Sequence, residues 1–503
     1  MATDNQQQTT AGKQKAGMKS LAKDTAIYGL SSIVGRFLNY LLVPLYTHVI
    51  SAASGGYGVV TNLYAYTALI LVILTFGMET TFFRFANKEG ENPDTVFATT
   101  MGIVAFLSIA FLALVFGCIN PIGNALGYAD HHFYIEMMAA VVALDAIQAI
   151  PFSYLRYRKR PLKFAFLKLL FIGLNIGLNL LYFVVLGKDD VAYVFSLNLV
   201  CTGVITFFFI PEFIHIKWHF DLSLMKRMLA YSWPILILGI AGILNQAFDK
   251  MIFPWAYTHT GLHDSMEAST QLGIYGACVK IAMIMAMITQ AFRYAYEPIV
   301  FAKSKDKDSK VYYAHAMKFF LIFTLLAFLC VVGYMDILKL IIGKDYREGL
   351  SVVPIVMAAE IMMGIYFNLS FWYKLIDKTI WGAFFSIIGC AVLIGVNIIF
   401  IPRYGYMACA WGGVAGYGVA MVLSYIIGQI KNPIDYPMKS MTAYVLITAL
   451  FFTIMQLLPD TWPTLARLAV NTGLIIAFIG HVIYHDMPLA SLPVIGKYFR
   501  RNK

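Results

Sequence analysis

The stretch Gly177–Phe183, GLNLLYF, returns 218 residues later as Gly395–Ile401, GVNIIFI. The same shift places Tyr57, in GGYGVV, on Tyr275, in LGIYGA. It also aligns the starts of two further pairs of apolar runs. A fixed offset between similar segments is the sequence signature of an internal repeat. The chain is therefore predicted to contain two copies of one structural unit.

Apolar runs fill the sequence around these stretches. The chain is 60% apolar and 13% charged, whereas soluble domains carry about a quarter charged residues. A membrane-spanning helix needs about 20 apolar residues, and we count about fourteen such runs. They begin near Ala26, Val59, Val96, Phe133, Phe164 and Val191, then near Leu229, Gly273, Ala314, Leu350, Ile380 and Tyr406, and finally near Ser440 and Thr464. The predicted fold class is an all-α integral membrane protein.

Each copy of the repeat contains six of these helices. An even number per copy makes the repeat parallel, with its axis along the membrane normal. The expected segments are a cytoplasmic tail (1–25), an N-lobe (26–216), a C-lobe (217–430), two further helices (431–485) and a basic cytoplasmic tail (486–503). Two such lobes typically flank a substrate space and rock against each other. This organisation predicts a transporter that works by alternating access.

Positive charge is unevenly distributed among the predicted loops. The chain has 38 Lys and Arg against 27 Asp and Glu, a net charge of +11. Loops on one side carry about 26 of the basic residues and loops on the other side about five, and this bias sets membrane orientation. Both termini are therefore expected in the cytoplasm. No polar stretch is long enough to present a basic face to nucleic acid.

Charged residues at membrane depth are the candidate functional residues, because such charges usually face a cavity or each other. The cations are Arg36, Lys168, Lys280 and Arg293, and the acids are Asp145 and Glu360. The cations are candidates for binding an anionic substrate. The acids are candidates for proton or Na⁺ coupling, although an ordinary hydrogen-bonding role is equally open.

Structural alternatives remain for three of the cations. Arg36 can pair with an acid or with helix carbonyls, and Lys168 can extend towards the cytoplasmic headgroups. Arg293 lies near the predicted cytoplasmic end of its helix, where headgroup anchoring is also open. The sequence does not decide between these roles and substrate binding.

Two pairs of glycines have the GxxxG spacing that permits close helix contact. They are Gly173 with Gly177, and Gly412 with Gly416. Faces of this kind suit helices that slide past each other, and they equally suit plain close packing. The pairs therefore predict helix contacts but not their purpose.

Catalytic and nucleotide-binding signatures are missing from the sequence. No GxxxxGK[ST], HExxH or GxSxG occurs, and all six cysteines fall inside apolar runs. We therefore expect no catalytic residues, no metal and no cofactor. Transport would then draw on an H⁺ or Na⁺ gradient or on the membrane potential.

Several motifs together resemble one family. They are LAKDTAIYGLSSIVGRFLNYLLVPLYTHVISAASGGYGVV (21–60), GMETTFFRF (77–85), LMKRMLAYSWPILILGIAGILNQAFDKMI (224–252), LGIYGACVKIAMI (272–284), QAFRYAYEP (290–298) and YGYMACAWGGVAGYG (404–418). In this order they resemble polysaccharide flippases of the multidrug/oligosaccharidyl-lipid/polysaccharide exporter superfamily. The resemblance extends over almost the whole chain.

This resemblance implies a flippase of the bacterial inner membrane. Its substrate would be an undecaprenyl-pyrophosphate-linked oligosaccharide for O-antigen, capsule or exopolysaccharide assembly. Its partners would be that lipid, the surrounding membrane lipids and polysaccharide assembly proteins. Arg36 occupies the GR position of the family's first helix, and Lys280 lies where basic cavity residues are often found.

Two related functions remain open. They are a flippase for a lipid-linked peptidoglycan precursor and a cation-coupled multidrug exporter. Hydrophobic cations favour acidic cavity residues, whereas the deep charges here include Arg36 and Lys280. The balance favours an anionic substrate.

Overall fold

A computed structural model describes residues 42–214, 218–303, 308–376, 378–459 and 461–486. These ranges are predominantly helical and contain no β-strand, so the predicted all-α class is confirmed. The helices of the first half are α1 (Leu42–Val49), α2 (Gly56–Thr75), α3 (Met78–Ala86), α4 (Pro93–Gly117), α5 (Ile119–Leu126), α6 (His132–Tyr157), α7 (Pro161–Asn179), α8 (Ala192–Phe208) and α9 (Ile210–Ile214). A π-helical segment, Leu180–Val185, continues α7.

The second half is also built from helices, with no strand in its described ranges. They are α10 (Leu222–Thr258), α11 (Ser265–Lys303), α12 (Ser309–Gly333), α13 (Met335–Leu338), α14 (Val352–Leu369), α15 (Phe371–Leu375), α16 (Ile380–Tyr404), α17 (Tyr406–Lys431), α18 (Met438–Leu457) and α19 (Thr464–His485). Short 3₁₀ turns lie at Ala52–Ser54, Lys339–Ile341 and Lys344–Ser351.

The described part of the chain contains twelve helical segments that are long and apolar enough to cross a membrane. The seventeen-residue helix α8 is also apolar, although shorter. The run predicted to begin near Ala26 lies outside the described residues except for its end in α1. The structure therefore agrees with the approximate count of fourteen membrane-spanning helices.

The span that contains α2 and α3 is broken at Phe76 and Gly77. Both residues have positive φ angles, 50° and 67°, and the left-handed conformation is cheap for glycine but strained for phenylalanine. A Cβ atom on Gly77 would lie 2.9 Å from Ile235 of α10. The break therefore lets α10 approach the turn closely.

Packing divides the chain into two compact units. The described residues as far as Trp255, together with Ser265–Thr270, form the first unit, and Ala256–Asp264 with the residues from Gln271 onward form the second. The expected lobe boundary at 216/217 precedes α10, whereas this division falls near the end of α10. The reason is that α10 packs along α2 and α3: Ser232 and Thr81 hydroxyls are 2.6 Å apart.

The two GxxxG motifs differ in their surroundings. Gly389 of α16 and Gly416 of α17 approach so closely that a Cβ atom on either would lie 2.7–2.8 Å from the other's carbonyl oxygen. The Gly412–Gly416 motif therefore serves close packing. In contrast, a Cβ atom on Gly173 or Gly177 would meet nothing within 4 Å.

The last two helices are fastened to α12 and to the short helix α13 that follows it. Lys318 of α12 forms an ion pair with Asp486, and Tyr444 donates a 2.5 Å hydrogen bond to the same carboxylate. Arg467 of α19 pairs with Asp336 of α13 at 3.0 Å. Burial alone would raise the pKa of Asp486, but the bonds from Lys318 and Tyr444 outweigh it and lower this pKa.

Candidate functional site

Lys168 and Asp145 are brought together inside the first unit. Asp145 lies midway along α6, and Lys168 lies on the neighbouring α7, where the two charges attract each other. The Lys168 ammonium also lies 4.0 Å from the centre of the Phe152 ring. An aromatic face attracts a cation, and this attraction is strongest where water is excluded. Two residues predicted for different roles therefore lie on neighbouring helices and act electrostatically on each other.

The helix α8 contributes a polar stripe to the same region. Asn198, Thr202 and Thr206 are spaced four residues apart and so share one helix face. The Thr202 hydroxyl lies 3.5 Å from Asp145 Oδ1, a long contact. Gln148 of α6 donates hydrogen bonds of 2.8 and 2.7 Å to the Thr202 carbonyl and to the Thr206 hydroxyl. These bonds join α6 to α8 beside Asp145.

Tyr64 of α2 completes this group of side chains. Asn198 Nδ2 donates a 2.8 Å hydrogen bond to the Tyr64 hydroxyl, and Tyr64 also interacts electrostatically with Asp145. Because the hydroxyl oxygen accepts this bond, its own proton remains available to another acceptor. Tyr64 keeps 37% of its surface accessible. We refer to Tyr64, Asp145, Gln148, Lys168, Asn198 and Thr202 as the inner polar cluster.

Further ion pairs connect the helix ends next to the cluster. Arg156 of α6 pairs with Glu79 of α3 at 3.1 Å, and Ser153 bonds to both. Lys163, near the start of α7, pairs with Glu212 at 2.6 Å. Glu79 and Arg156 also act electrostatically on Lys168. The environment of Lys168 thus contains two acids and one further cation.

The remaining predicted site residues are distributed over the second unit. Lys280 and Arg293 lie on α11, Glu360 lies on α14, and all three are partly buried. The Arg293 guanidinium lies 4.9 Å from the centre of the Phe367 ring. Arg36 lies outside the described residues, so its assignment to the substrate path stays a prediction.

A comparison with known families decides the membership of this chain. The model of the polysaccharide biosynthesis protein family matches residues 21–300, which is more than half of the sequence. The chain belongs to the polysaccharide biosynthesis protein family. No curated protein matches its sequence.

Solved structures of known transporters share the fold of this family member. The lipid II flippase MurJ, in an inward closed conformation, aligns over 91% of this chain and 98% of its own, with 16% identity and a TM-score of 0.72. An inward-facing multidrug resistance MATE family transporter of the MOP superfamily aligns over 81% and 95%, with 14% identity and a TM-score of 0.61. A MOP superfamily transporter from Pyrococcus furiosus aligns over 84% and 96%, with 14% identity and a TM-score of 0.52. The predicted superfamily fold is confirmed.

Sequence reasoning missed several polar residues of this polysaccharide biosynthesis family member. Asn198, Thr202 and Thr206 are uncharged, and a search for deep charges passes over them. Their spacing of four residues within an apolar helix was the available signal. Asn62 of α2 was also missed, although it lies 218 residues before Lys280 and so at the matching position of the repeat.

Proposed function

We propose that the protein is a flippase that transfers an undecaprenyl-pyrophosphate-linked oligosaccharide from the cytoplasmic to the periplasmic leaflet of the bacterial inner membrane. It would do so by alternating access, without chemical conversion of the substrate and with both termini in the cytoplasm. The product would feed the assembly of a surface polysaccharide, with the assembly proteins as partners. Family membership and the transporter fold support this proposal.

The observation that carries the proposal is the position of Lys168. A pyrophosphate is a strong anion that must cross a layer without bulk water, and a fixed cation replaces part of its lost hydration. The Phe152 ring holds the Lys168 ammonium inside the helix bundle. Tyr64 adds a hydroxyl group that interacts electrostatically with Asp145. This combination suits an anionic group attached to a hydroxyl-rich glycan.

In this proposal Lys168 exchanges its partner during the cycle. Without substrate, the Asp145 carboxylate attracts the Lys168 ammonium group. When pyrophosphate oxygens approach Lys168, they take the place of the carboxylate, and a carboxylate left unpaired at this depth is costly. Asp145 then takes up a proton, so an H⁺ gradient can drive the exchange. Glu360 stays a second candidate for ion coupling.

Arg36, Lys280 and Arg293 extend the proposed anion path. An arginine offers a bidentate fork to phosphate oxygens, which a lysine cannot supply. We therefore expect Arg36→Lys to retain part of the activity and Arg36→Ala to abolish it at normal protein levels. Full flipping by Arg36→Ala, per folded molecule, would remove Arg36 from the path.

Multidrug export is less well supported by the inner polar cluster. A hydrophobic cation favours a site with net negative charge, whereas Asp145 shares this region with the cation Lys168, which acts on it electrostatically. A lipid-linked peptidoglycan precursor also carries pyrophosphate, so Lys168 suits both lipid substrates. The family match favours a polysaccharide precursor.

The test is a flipping assay in proteoliposomes with a fluorescent lipid-linked oligosaccharide. Lys168→Met should lower the rate by at least about tenfold, equivalent to about 1.4 kcal/mol, at matched amounts of folded protein. Lys163→Met is the control on the same helix, because Lys163 pairs with Glu212 outside the cluster, and it should keep its rate. An unchanged rate in Lys168→Met would refute the assigned role.

Ion coupling is tested in the same vesicles. An imposed pH gradient should accelerate flipping by the natural protein and should have little effect on Asp145→Asn, which cannot release a proton. Acceleration by a Na⁺ gradient alone would show that coupling uses the other ion.

A further inference from the structure

Arg84 of α3 lies against an aromatic ring and not against an acid. Its guanidinium carbon is 4.6 Å from the centre of the Tyr231 ring of α10, a distance at which the ring attracts the cation. The Phe85 ring packs edge-on against Tyr231 at 6.1 Å. Arg84 is exposed, and no carboxylate in the described ranges pairs with it. The ring therefore positions the cation without occupying its N–H donors as a carboxylate would.

Other cations at the same end of the first unit are held by acids instead. They form the ion pairs Arg156–Glu79, Arg158–Asp94 and Arg227–Glu91, with distances of 3.1, 2.9 and 2.6 Å. The Tyr157 hydroxyl donates a 3.1 Å hydrogen bond to the Ala86 carbonyl, so the ends of α6 and α3 lie side by side. The acids of these pairs already have cationic partners. Arg84 thus differs from its paired neighbours in what holds it.

Two further donors lie on the same face of α3. Thr80 precedes Arg84 by four residues, and Lys88, in the turn directly after the helix, follows it by four. Residues with this spacing are neighbours on a helix surface. Both are exposed, and the Lys88 ammonium lies 5.8 Å from the centre of the Phe85 ring. A hydroxyl, a guanidinium and an ammonium group therefore follow one another along this face.

Arg84 lies at the depth of lipid headgroups. The span formed by α2 and α3, Gly56–Ala86, has 31 residues. At 1.5 Å per residue it is about 46 Å long, whereas the hydrocarbon core is about 30 Å thick. Arg84 lies two residues before the end of this span and so outside the hydrocarbon. A charged lipid headgroup can reach it without leaving the membrane surface.

An apolar surface leads from Tyr231 towards the membrane interior. Pro234 and Leu238 follow Tyr231 at intervals of three and four residues, which places them on one face of α10, and both are exposed. The direction is inward, because Ile235 of this segment meets Gly77 at the deeper end of α3. This arrangement suits a molecule with an anionic head and a hydrocarbon tail.

We propose that Thr80, Arg84 and Lys88, with Tyr231 as the positioning ring, bind the pyrophosphate headgroup of the lipid-linked oligosaccharide before it enters the transport path. Two neighbouring cations without acid partners match a pyrophosphate, which is charged on both phosphates, better than a phospholipid with a single phosphate. In the proposed orientation this end of α3 faces the cytoplasm, where the substrate is loaded. The proposal rests on the proposed flippase function, but binding can be measured without flipping.

The site is tested with a photoreactive analogue of undecaprenyl pyrophosphate whose reactive group lies next to the headgroup. With the full chain in phosphatidylcholine vesicles, it should label α10 between Tyr231 and Leu238, as mapped by mass spectrometry. Arg84→Ala should lower this labelling by at least about tenfold, because charge-assisted hydrogen bonds are lost. Tyr231→Leu should lower it several-fold, whereas Tyr231→Phe keeps the ring and should not.

Arg160→Ala is the matched control. Arg160 is an exposed cation directly before α7, and its loss should leave the labelling unchanged. Excess undecaprenyl pyrophosphate should compete with the label, and excess phosphatidylglycerol should not. Equal losses in Arg84→Ala and Arg160→Ala, or equal competition by both lipids, would overturn the proposal in favour of a general attraction of anionic lipids.

Flipping in proteoliposomes separates a loading role from a structural one. Arg84→Ala should raise the substrate concentration for half-maximal flipping several-fold, with the maximal rate and the melting temperature unchanged, because the inner polar cluster is intact. Arg84→Lys should restore part of the loss. A lower maximal rate at an unchanged half-saturating concentration would contradict the loading role. Absence of flipping by the natural protein would instead refute the proposed function, and the labelling experiment would still decide the site.

Discussion

The positions of the inner polar cluster in the first half correspond to very different residues in the second half. The positions 218 residues after Tyr64, Asp145, Lys168, Asn198 and Thr202 hold Ala282, Met363, Ser386, Gly416 and Ala420. Gly416 and Ala420 are the residues that let α17 approach Gly389 of α16. The same helix face thus carries hydrogen-bonding groups in one half and close backbone contact in the other. Matching helices of the two halves therefore use the same face for different kinds of contact.

A single repeated residue shows the same divergence. Asn179 and Asn397 are both fully buried. Asn179 accepts a 2.8 Å bond from Tyr46 and donates to Asn175. The amide atoms of Asn397 have no hydrogen-bond partner in the part of the chain that the structure describes. Leu393 stands where Asn175 would have its counterpart, so the local sequence explains part of this difference.

The largest expected effect concerns Asp145 and Lys168, whose matching positions in the second half hold the uncharged Met363 and Ser386. Lys168→Met should destabilise the fold, because it removes the cation that attracts the buried carboxylate of Asp145. The double variant Asp145→Asn with Lys168→Met, which is uncharged at both positions like Met363 and Ser386 of the second half, should recover most of that stability. Chemical denaturation measures both. Equal destabilisation by the single and double variants would mean that the two charges are not coupled.

The double variant also separates folding from function. It should remain unable to flip the lipid-linked oligosaccharide, because the fixed cation is gone. A double variant that flips at the natural rate would show that the second half carries substrate binding by itself.

Close packing in the second half predicts the next effect. Gly416→Ala places a methyl group 2.7 Å from the Gly389 carbonyl oxygen, and overpacking of this kind costs about 1–3 kcal/mol. Gly177→Ala is the matched control, because its methyl group meets nothing within 4 Å. Thermal unfolding should show a loss for Gly416→Ala alone. Similar losses for both would contradict the different roles of the two glycine motifs.

The two asparagines provide a smaller but sharper contrast. Asn179→Leu breaks bonds to Tyr46 and Asn175 and leaves buried groups unsatisfied, at a cost of about 1–3 kcal/mol. Asn397→Leu removes an amide that has no partner in the described ranges, so it should be neutral or stabilising. Denaturation midpoints of both variants test this. A loss in Asn397→Leu equal to that in Asn179→Leu would show that the second amide is satisfied after all.

Tyr64→Phe should have the smallest effect. It removes the acceptor of the Asn198 amide, and a typical hydrogen bond of this kind contributes about 1 kcal/mol. The expected result is a small loss in unfolding temperature. We also expect the variant to lose more affinity for the glycan-bearing lipid than for the sugar-free lipid pyrophosphate. Equal binding losses for both lipids would assign Tyr64 to the anion instead of the sugar.

The sequence predicted the helical architecture because apolar runs of membrane length are a strong and local signal. It also identified Asp145 and Lys168 one at a time, since a charge inside an apolar run is conspicuous. It did not pair them, because α6 and α7 are brought side by side by packing that no local pattern records. The packing division at Trp255 was equally hidden, because α10 begins like the first helix of a second copy.

Neutral polar residues were the hardest to assign. Asn62 and Asn198 look like tolerated polar residues in a membrane helix. Their roles become visible once the fold places Tyr128 next to Asn62 and Tyr64 next to Asn198. The residue type gives the bonding capacity, and the tertiary fold gives the partner.

The attachment of α18 and α19 to α12 has a consequence for biosynthesis. Lys318 belongs to a helix that leaves the ribosome long before Asp486 is translated. Until the C-terminal helices insert, this ammonium group enters the membrane without the carboxylate that compensates it in the finished protein. A chain that ends before Asp486 therefore never acquires the carboxylate that pairs with Lys318.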